Sequence, residues 1–224
     1  MSEIRIIETS DGSQSLFLKD MNETYHSTHG ALTESQYVFI EKGLQFWFDS
    51  NKQDSLKILE VGFGTGLNAL LTLAFVKSHE KVEIDYQTLE PYPLPQSVYS
   101  KLKYAELIDS ADTATLIEMH QSPFGEQLDY EHFTFKKHKE QVQDFEGEGF
   151  DLIYFDAFAP SKQKEVWDLK IFQSLFSQLN QNGVLVTYCA QGQFKRDLVT
   201  AGFDIETLDG PPGKKEMVRG VKRV

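Results

Sequence analysis

The stretch Lys57-Ile-Leu-Glu-Val-Gly-Phe-Gly-Thr-Gly-Leu-Asn68 is the part of the sequence that decides the fold. Its apolar run, Ile58 to Val61, predicts a buried parallel strand, and three glycines in five residues predict a tight turn directly after it. Helically spaced apolar residues follow the turn, at Leu67, Leu70, Leu71, Ala74 and Phe75. A strand, a glycine turn and a helix bring a ligand against bare backbone at a helix N-terminus. The stretch therefore predicts an enzyme with a nucleotide-like cofactor. A purely structural turn is the weaker interpretation, because three glycines in five residues destabilise a fold unless a ligand has to approach the backbone closely.

The spacing of the glycines distinguishes between cofactors. Dinucleotide sites have the pattern G-x-G-x-x-G, whereas this sequence has G-x-G-x-G, with the third glycine one residue early. Glu60, at the end of the strand, would repel a pyrophosphate. These features resemble motif I of the class I S-adenosylmethionine (SAM) methyltransferases, E/D-x-G-x-G-x-G, whose sulfonium cofactor has no phosphate and tolerates carboxylates. Glu60, Gly62, Gly64 and Gly66 are therefore candidate cofactor-binding residues.

Three further polar residues are candidates for binding the cofactor. Thr65 and Asn68 can hydrogen-bond its methionine end, although Asn68 can equally cap the helix or face solvent. The alternating run Val82–Leu89 predicts the second strand, and Glu90 ends it about two dozen residues beyond the glycine loop. An acid at this place hydrogen-bonds ribose hydroxyls in nucleotide-binding α/β folds. An acid at a strand end is common in itself, but its register with the glycine loop favours ribose binding.

Length and composition limit the class of protein. The 224 residues are enough for one α/β domain, predicted over 1–224, and no stretch of about 18 apolar residues predicts a membrane span. The first residues have no signal-peptide core, and Cys189 is the only cysteine, so we expect a cytoplasmic protein without a disulfide. The six histidines show no metal-ligand spacing, and we expect no metal. The net charge of −12 argues against nonspecific nucleic-acid binding over the whole surface, but not against a local basic patch.

Alternating strand and helix patterns predict a doubly wound, mostly parallel sheet of seven strands, the Rossmann-like class I methyltransferase fold. Residues 1–50 predict an N-terminal hairpin around Asp11-Gly12 and a helix over 32–50. Residues 96–129 are longer than a crossover needs and predict a helical insert. The remaining predicted elements are strands at 133–136, 150–155 and 184–188, helices at 166–179 and 193–200, and two strands within 203–224.

A second group of candidate residues follows the strand at 150–155, in Asp156-Ala-Phe158-Ala-Pro160. An acid at the carboxyl end of a central strand lies where α/β sheets bind ligands. The aromatic ring and the proline would stiffen the loop and form an apolar wall. A plain strand exit is the alternative, which the glycine loop makes the weaker interpretation. Asp156 and Phe158 are the candidate catalytic residues.

Several strings together resemble one family: Tyr25-His-Ser, Glu34-Ser-Gln-Tyr-Val-Phe-Ile, LEVGFGTGLN, LEPYPL, DAFAPSKQKEVW and GPPGKKEM. They are similar to the tRNA 5-methylaminomethyl-2-thiouridine methyltransferases, the methyltransferase half of bifunctional MnmC proteins, also found as a stand-alone domain. The resemblance extends from about Tyr25 to Gly220. It implies that SAM methylates the primary amine of an aminomethyl group on a tRNA wobble uridine. It also implies that Tyr25 and Glu34 close over the cofactor.

The sequence departs from this family in two places. The family has Gly-Asp after the third strand, where the acid helps to hold adenine, but this sequence has His138-Lys139 there. The bifunctional members also carry a flavin-dependent oxidase that uncovers the amine. The sequence has no room for this second domain, so we expect a separate enzyme to supply the aminomethyl precursor.

The basic residues near the C-terminus offer a contact for tRNA. Lys214 and Lys215 lie within the family-like GPPGKKEM string and are the candidate substrate-binding residues, whereas Lys222 and Arg223 are as consistent with a solubilising tail. Other hypotheses stay open: a SAM-dependent methyltransferase of a small-molecule or protein amine, a catalytically silent SAM-binding partner in a tRNA-modification complex, and, more distantly, a nicotinamide dehydrogenase. Asp156 is predicted to orient the amine and accept a proton, or only to hydrogen-bond it. Phe158 is predicted to pack against cationic groups.

Overall fold

The computed structural model describes residues 3–51, 53–79 and 81–223, so the predicted limits of the domain, Met1 and Val224, lie outside the described residues. The described chain forms two sheets. The N-terminal sheet contains β1 (Ile4–Glu8), β2 (Gln14–Leu18) and β3 (Glu23–Thr24). The strands of the larger sheet are β4 (Ser55–Val61), β5 (Glu83–Leu89), β6 (Gln127–Tyr130), β7 (Phe133–His138), β8 (Phe150–Phe155), β9 (Leu179–Thr187), β10 (Asp204–Asp209) and β11 (Glu216–Val221).

The larger sheet has the order β10-β11-β9-β8-β4-β5-β7-β6. Strands β7, β5, β4, β8 and β9 are parallel, while β6 and β11 run antiparallel to their neighbours β7 and β9. The predicted doubly wound, mostly parallel sheet is confirmed, with eight strands instead of seven. After β4 the chain adds β5 on one side and β8 on the other. This reversal opens a crevice at the carboxyl ends of these strands, where such sheets bind ligands.

The helices cover both faces of the larger sheet. They are α1 (Ala31–Ser35), α2 (Phe46–Ser50), α3 (Leu67–Lys77), α4 (Gln96–Tyr99), α5 (Thr113–Gln121), α6 (Leu169–Gln178) and α7 (Gly192–Ala201). Neighbouring residues of β4 point to opposite faces, so Ile58 lies in the core cluster that contains Leu70 of α3, and Leu59 lies in the cluster that contains Phe172 of α6. No helix in the described ranges is long and apolar enough to cross a membrane.

Three predicted elements differ in detail. The helix expected over 32–50 is continuous, but Gln36–Gln45 has the wider π-type turn between α1 and α2. The helix expected at 166–179 begins only after Asp168, whose carboxylate accepts a hydrogen bond from Lys170 N at 2.9 Å. The 96–129 insert ends in strand β6, which is the eighth strand, and only its earlier part contains helices.

The N-terminal hairpin is joined to α1 by hydrogen bonds that cap this helix. The helix follows Gly30, which offers no side chain, and so its first N–H groups need partners from elsewhere. Ser13 Oγ accepts from Ala31 N and Leu32 N, both at 3.1 Å, and Asp11 Oδ2 accepts from Thr33 N at 2.9 Å. The loop of the β1–β2 hairpin therefore fixes the start of the helix that carries Glu34.

We expect Asp11→Ala to lower the free energy of unfolding by about 1–2 kcal/mol, the usual loss for a helix cap. Burial opposes ionisation of Asp11, but hydrogen bonds from Ser13, Thr33 and Thr9 outweigh it and hold the pKa of the carboxyl well below its usual range. Urea unfolding at pH 7 measures the change. Asp20→Ala is the matched control, since Asp20 is exposed and makes no side-chain hydrogen bond within the described ranges. Equal losses in both variants would contradict the capping role.

Candidate active site

A cavity of about 310 Å³ lies at the carboxyl ends of β4, β5 and β8. Residues 23–27, near the end of the N-terminal segment 3–30, form another part of its wall. Its size is at the lower end of the range for small-molecule sites. The structure brings most of the predicted residues to its wall: Tyr25, Glu34, Gly62, Gly64, Thr65, Asn68, Glu90, Asp156, Phe158 and Lys214. Glu60, Gly66 and Lys215 do not line it.

The glycine loop is bound to Glu90. Gly64 N donates to Glu90 Oε2 and Tyr92 N donates to Glu90 Oε1, both at 2.8 Å. Burial raises the pKa of Glu90, and these two backbone hydrogen bonds oppose that shift. Each carboxylate oxygen has a further lone pair, so Glu90 can hold the loop and still accept a hydrogen bond from a ligand hydroxyl.

The three glycines of the loop serve different purposes. All have positive φ, at +98° for Gly62, +52° for Gly64 and +77° for Gly66. A Cβ on Gly62 would lie 2.7 Å from the carbonyl oxygen of Asp156, and one on Gly66 would lie 2.8 Å from Leu116. These two glycines allow close packing of the protein itself. Gly64 instead presents bare backbone to the cavity, with the ring of Tyr25 3.1 Å from the position of its Cβ.

Glu60 lies behind the cavity wall and is fully buried. Its carboxylate accepts hydrogen bonds from Thr88 Oγ1 at 2.7 Å and from Asn68 Nδ2 at 3.1 Å. Burial raises the pKa of Glu60 well above its usual range, which favours a neutral carboxyl group. Glu60 is thus placed to orient Asn68 and not to meet a ligand, which changes the role predicted for it.

Asn68 connects this buried acid to Asp156. Its Nδ2 also donates to Asp156 Oδ2 at 2.8 Å, so one amide group bridges two carboxyl groups. The Oδ1 atom of Asn68 is buried and accepts no hydrogen bond within the described part of the chain. Asn68 therefore fixes the orientation of Asp156, which the sequence pattern did not predict.

Asp156 has the properties of a proton acceptor near neutral pH. Burial raises its pKa to about 7, and the nearby carboxylate of Glu34 adds to the shift. The hydrogen bond from Asn68 and the charge of Lys214 act in the opposite direction. A carboxyl group that titrates near 7 exchanges protons easily at physiological pH.

Phe158 and Tyr25 form the aromatic part of the wall. Their rings meet edge to face, with centroids 5.0 Å apart. The loop that carries Phe158 is fixed by Trp167 Nε1, which donates to the Phe158 carbonyl at 2.8 Å. Lys162 Nζ ties the same loop to the N-terminal segment by donating to Met21 O at 2.8 Å. The loop that carries Phe158 and the N-terminal segment that carries Tyr25 are thus held together at the cavity.

The two predicted substrate lysines have different surroundings. The Pro211-Pro212-Gly213 turn forms as predicted, closed by Lys214 N donating to Pro211 O at 2.9 Å. Lys214 is half-buried, pairs with the buried carboxylate of Glu34, and lies over the ring of Tyr188 at 3.6 Å from its centroid. Lys215 is exposed. Lys214 is therefore part of the cavity wall instead of an open basic surface, because a helix 180 residues earlier supplies its partner.

Two wall residues were missed in the sequence. His26 is 8% exposed and its Nε2 lies 3.4 Å from Thr65 Oγ1. Burial lowers the pKa of His26 to about 4, so the ring is neutral at pH 7. Tyr188, at the end of β9, donates from its hydroxyl to Ala157 O at 2.8 Å. The position of Tyr188 at the carboxyl end of a central strand could have identified it as a site residue. For His26, the sequence offered only its position next to Tyr25.

The segment at the end of β7 holds His138 and Lys139, the two residues that depart from the family pattern. His138 Nε2 lies 3.1 Å from Gln87 Oε1, and Lys139 Nζ lies 5.8 Å from the centroid of the Phe124 ring. Neither residue lines the cavity, whose wall here is formed by residues 140–143. Residues 140–143, and not His138 or Lys139, are therefore the part of this segment that faces the cavity.

A family model described as S-adenosyl-L-methionine-dependent methyltransferase matches residues 106–223. The chain belongs to this family. The matched residues include Asp156, Phe158 and Lys214 but not the glycine loop. The loop and the match are therefore separate indications of the same cofactor, and the prediction of SAM is confirmed.

Curated relatives agree with the assignment of the chain to a methyltransferase family. The chain is 30% identical over 226 residues to the tRNA 5-methylaminomethyl-2-thiouridine biosynthesis bifunctional protein MnmC of Pseudoalteromonas atlantica, covering 90% of this chain and 31% of the relative. It is 28% identical over 220 residues to MnmC of Nitrosospira multiformis, covering 92% and 35%. This chain thus spans about a third of the length of these curated relatives. The predicted resemblance to the MnmC-type methyltransferase domain is confirmed.

Two crystal structures share the fold. MnmC2 from Aquifex aeolicus has a TM-score of 0.79 at 24% identity, covering 98% of this chain and 70% of that chain. Spermidine synthase from Thermotoga maritima has a TM-score of 0.59 at 16% identity, covering 100% and 70%. At these identities the similarity shows the fold alone, and it confirms the predicted class I architecture.

The cavity of the methyltransferase suits SAM in three respects. Gly64 leaves bare backbone at the wall, and Glu90 has free lone pairs for ribose hydroxyls. The carboxyl groups of Glu34 and Asp156 suit a cofactor with a sulfonium and an ammonium group. Within the described ranges, no three histidine, cysteine or acidic side chains converge in a way that would hold a metal ion.

Proposed function

We propose that the chain methylates the primary amine of an aminomethyl group on the wobble uridine of tRNA, giving a methylaminomethyl group. The observation that carries this proposal is the carboxyl group of Asp156 in the cavity wall, with a pKa of about 7 and with the glycine loop beside it. Relatives named for the biosynthesis of 5-methylaminomethyl-2-thiouridine in tRNA support the choice of substrate. When bound, SAM would supply an electrophilic methyl group, and Gly64 and Glu90 would hold it at the glycine loop.

The amine must lose a proton before it can react. Its pKa should be near that of lysine, about 10.4, so only about one molecule in 10³ is neutral at pH 7. Asp156, oriented by Asn68, accepts a hydrogen bond from the ammonium group and takes its proton. Glu34, which is paired with Lys214, raises the pKa of Asp156 and so helps this carboxyl group to keep the proton.

The aromatic residues and the ion pair restrict the cavity. Phe158 and Tyr25 exclude water and can contact the cationic amine with their rings. The ion pair of Glu34 and Lys214 joins α1 to the turn before β11 across the cavity. Positioning of the reactants in such an enclosed site contributes to the rate alongside proton transfer.

We expect the purified chain to transfer labelled methyl groups from SAM to tRNA from cells that lack the modification. Digestion with RNase and phosphatase should release the label as a methylaminomethyl nucleoside. Label in small molecules or in protein would assign another amine as the substrate. SAM binding without transfer to any of these acceptors would instead indicate a catalytically silent partner protein.

A further inference from the structure

A second cavity, of about 430 Å³ and open to solvent, adjoins the first. The two share three wall residues, Ala159, Tyr188 and Lys214. The hydrogen bond from Tyr188 Oη to Ala157 O fixes the ring, and the flexible side chain of Lys214 lies across it at 3.6 Å. At these residues a partition separates the two cavities, and Lys214 is the one long, flexible side chain in it.

The size of the first cavity limits what it can hold. About 310 Å³ is close to the smallest volume of small-molecule sites. A bound SAM molecule would take up most of this volume, so the nucleotide that carries the aminomethyl group needs a neighbouring space. The base, the ribose and the phosphates have to lie outside, next to the partition.

The charge of the second cavity suits a phosphate group. Lys215 is exposed in its wall and forms no ion pair or hydrogen bond through its side chain within the described ranges. The acid in the same wall, Glu216, is already paired with Lys195 at 2.7 Å. Lys215 is thus a cation without an ion pair in the described ranges, and the nearby Glu216 is shared with Lys195, in a protein whose net charge is −12.

We propose that the second cavity holds the target nucleotide of the RNA strand, with its phosphate on Lys215 and its aminomethyl group directed past Lys214 towards Asp156. This inference rests on the proposed function, and it adds the place of the nucleotide. Lys215 is then a substrate-positioning residue that contacts phosphate, whereas Lys214 controls the passage.

The test compares 5-aminomethyluridine with its 5′-monophosphate as substrates. We expect the monophosphate to have a KM about tenfold lower, as one charge-assisted hydrogen bond provides. Lys215→Gln should remove this preference without changing kcat or SAM affinity. With tRNA, the same variant should flatten the dependence of log affinity on log salt by somewhat less than one unit. Lys81→Gln is the matched control, because Lys81 is exposed and lies just before the amino end of β5, at the opposite edge of the sheet.

A second variant fills the cavity. Ala190 lines the second cavity but not the first, so Ala190→Trp should block methylation of tRNA and leave the affinity for SAM unchanged. The proposal would be overturned if Lys215→Gln kept the preference for the monophosphate, or if Ala190→Trp methylated tRNA at the wild-type rate. If the wild-type chain methylates no RNA, the proposed function fails. Binding of uridine 5′-monophosphate to the wild-type chain then tests separately whether the second cavity is a nucleotide site. Binding that Lys215→Gln removes supports a nucleotide site, and an absence of binding overturns it.

Discussion

Asp156→Asn and Asp156→Ala should each lower methyl transfer to tRNA by at least about 10²-fold, the lower range for a positioned acid–base group. The reason is that each variant removes the carboxylate that takes the proton of the amine. Turnover has to be measured at saturating SAM, since Asp156 also lines the cofactor cavity. Asp109→Asn is the control for the change of charge, because Asp109 is exposed and makes no side-chain hydrogen bond in the described part of the chain. Near-normal turnover of both Asp156 variants would remove this residue from the mechanism.

The pH dependence gives an independent check on Asp156. Only the ionised carboxylate accepts a proton, so kcat/KM of the wild type should rise with pH up to about 7 and then lose this dependence. Glu34→Gln should move this limb to lower pH, because it removes the negative charge that raises the pKa of Asp156. The Asp156 variants should lack the limb altogether.

Stability separates loss of function from loss of the fold. The folded-state pKa of Asp156, about 7, lies above the usual value of 3.8. The stability gained by its protonation is complete below 3.8 and is lost as pH rises through 7. At pH 8 the ionised carboxylate therefore destabilises the protein, and Asp156→Asn should be more stable than the wild type by about 1–3 kcal/mol after allowance for solvent screening.

The central fold was predictable because its local patterns and its long-range packing agree. Ile58, Leu59 and Val61 are apolar because β4 is buried on both faces, Glu60 is the one polar residue among them, and the glycines that follow have positive φ. Asp156 was also predictable, since the topology of a parallel sheet brings the carboxyl ends of β4 and β8 together.

The direction of individual side chains was harder to predict. Glu60 ends the same strand that leads to the cavity, but the pleat directs it to Thr88 and Asn68 behind the wall. Strand β6 was missed because Gln127–Tyr130 is only four residues long and half-exposed, and its pairing with β7 determines its conformation. The partners of Asp11 and Lys214 lie 22 and 180 residues away, so no local pattern could reveal them.

Gly64→Val should abolish measurable binding of SAM and S-adenosylhomocysteine while the chain stays folded. A β-branched residue at φ +52° costs about 1–3 kcal/mol, which is less than the usual stability of 5–15 kcal/mol. The Cβ would already lie 3.1 Å from the ring of Tyr25, and the two methyl groups of valine would force that ring away. The ring of Tyr25 already packs against Phe158 on its other side, so the displaced ring has to move into the cavity that SAM would occupy. Calorimetry with both ligands measures the effect.

Gly125→Val is the matched control for backbone strain. Gly125 also has positive φ, at +82°, but a Cβ there would meet no atom within 4 Å, and the residue does not line the cavity. We expect this variant to lose a similar amount of stability and to keep its affinity for SAM. If both variants lost binding equally, strain and not the space at Gly64 would be the cause. Normal SAM affinity in Gly64→Val would show that the cofactor does not approach the backbone there, and the cofactor would have to bind away from the glycine loop.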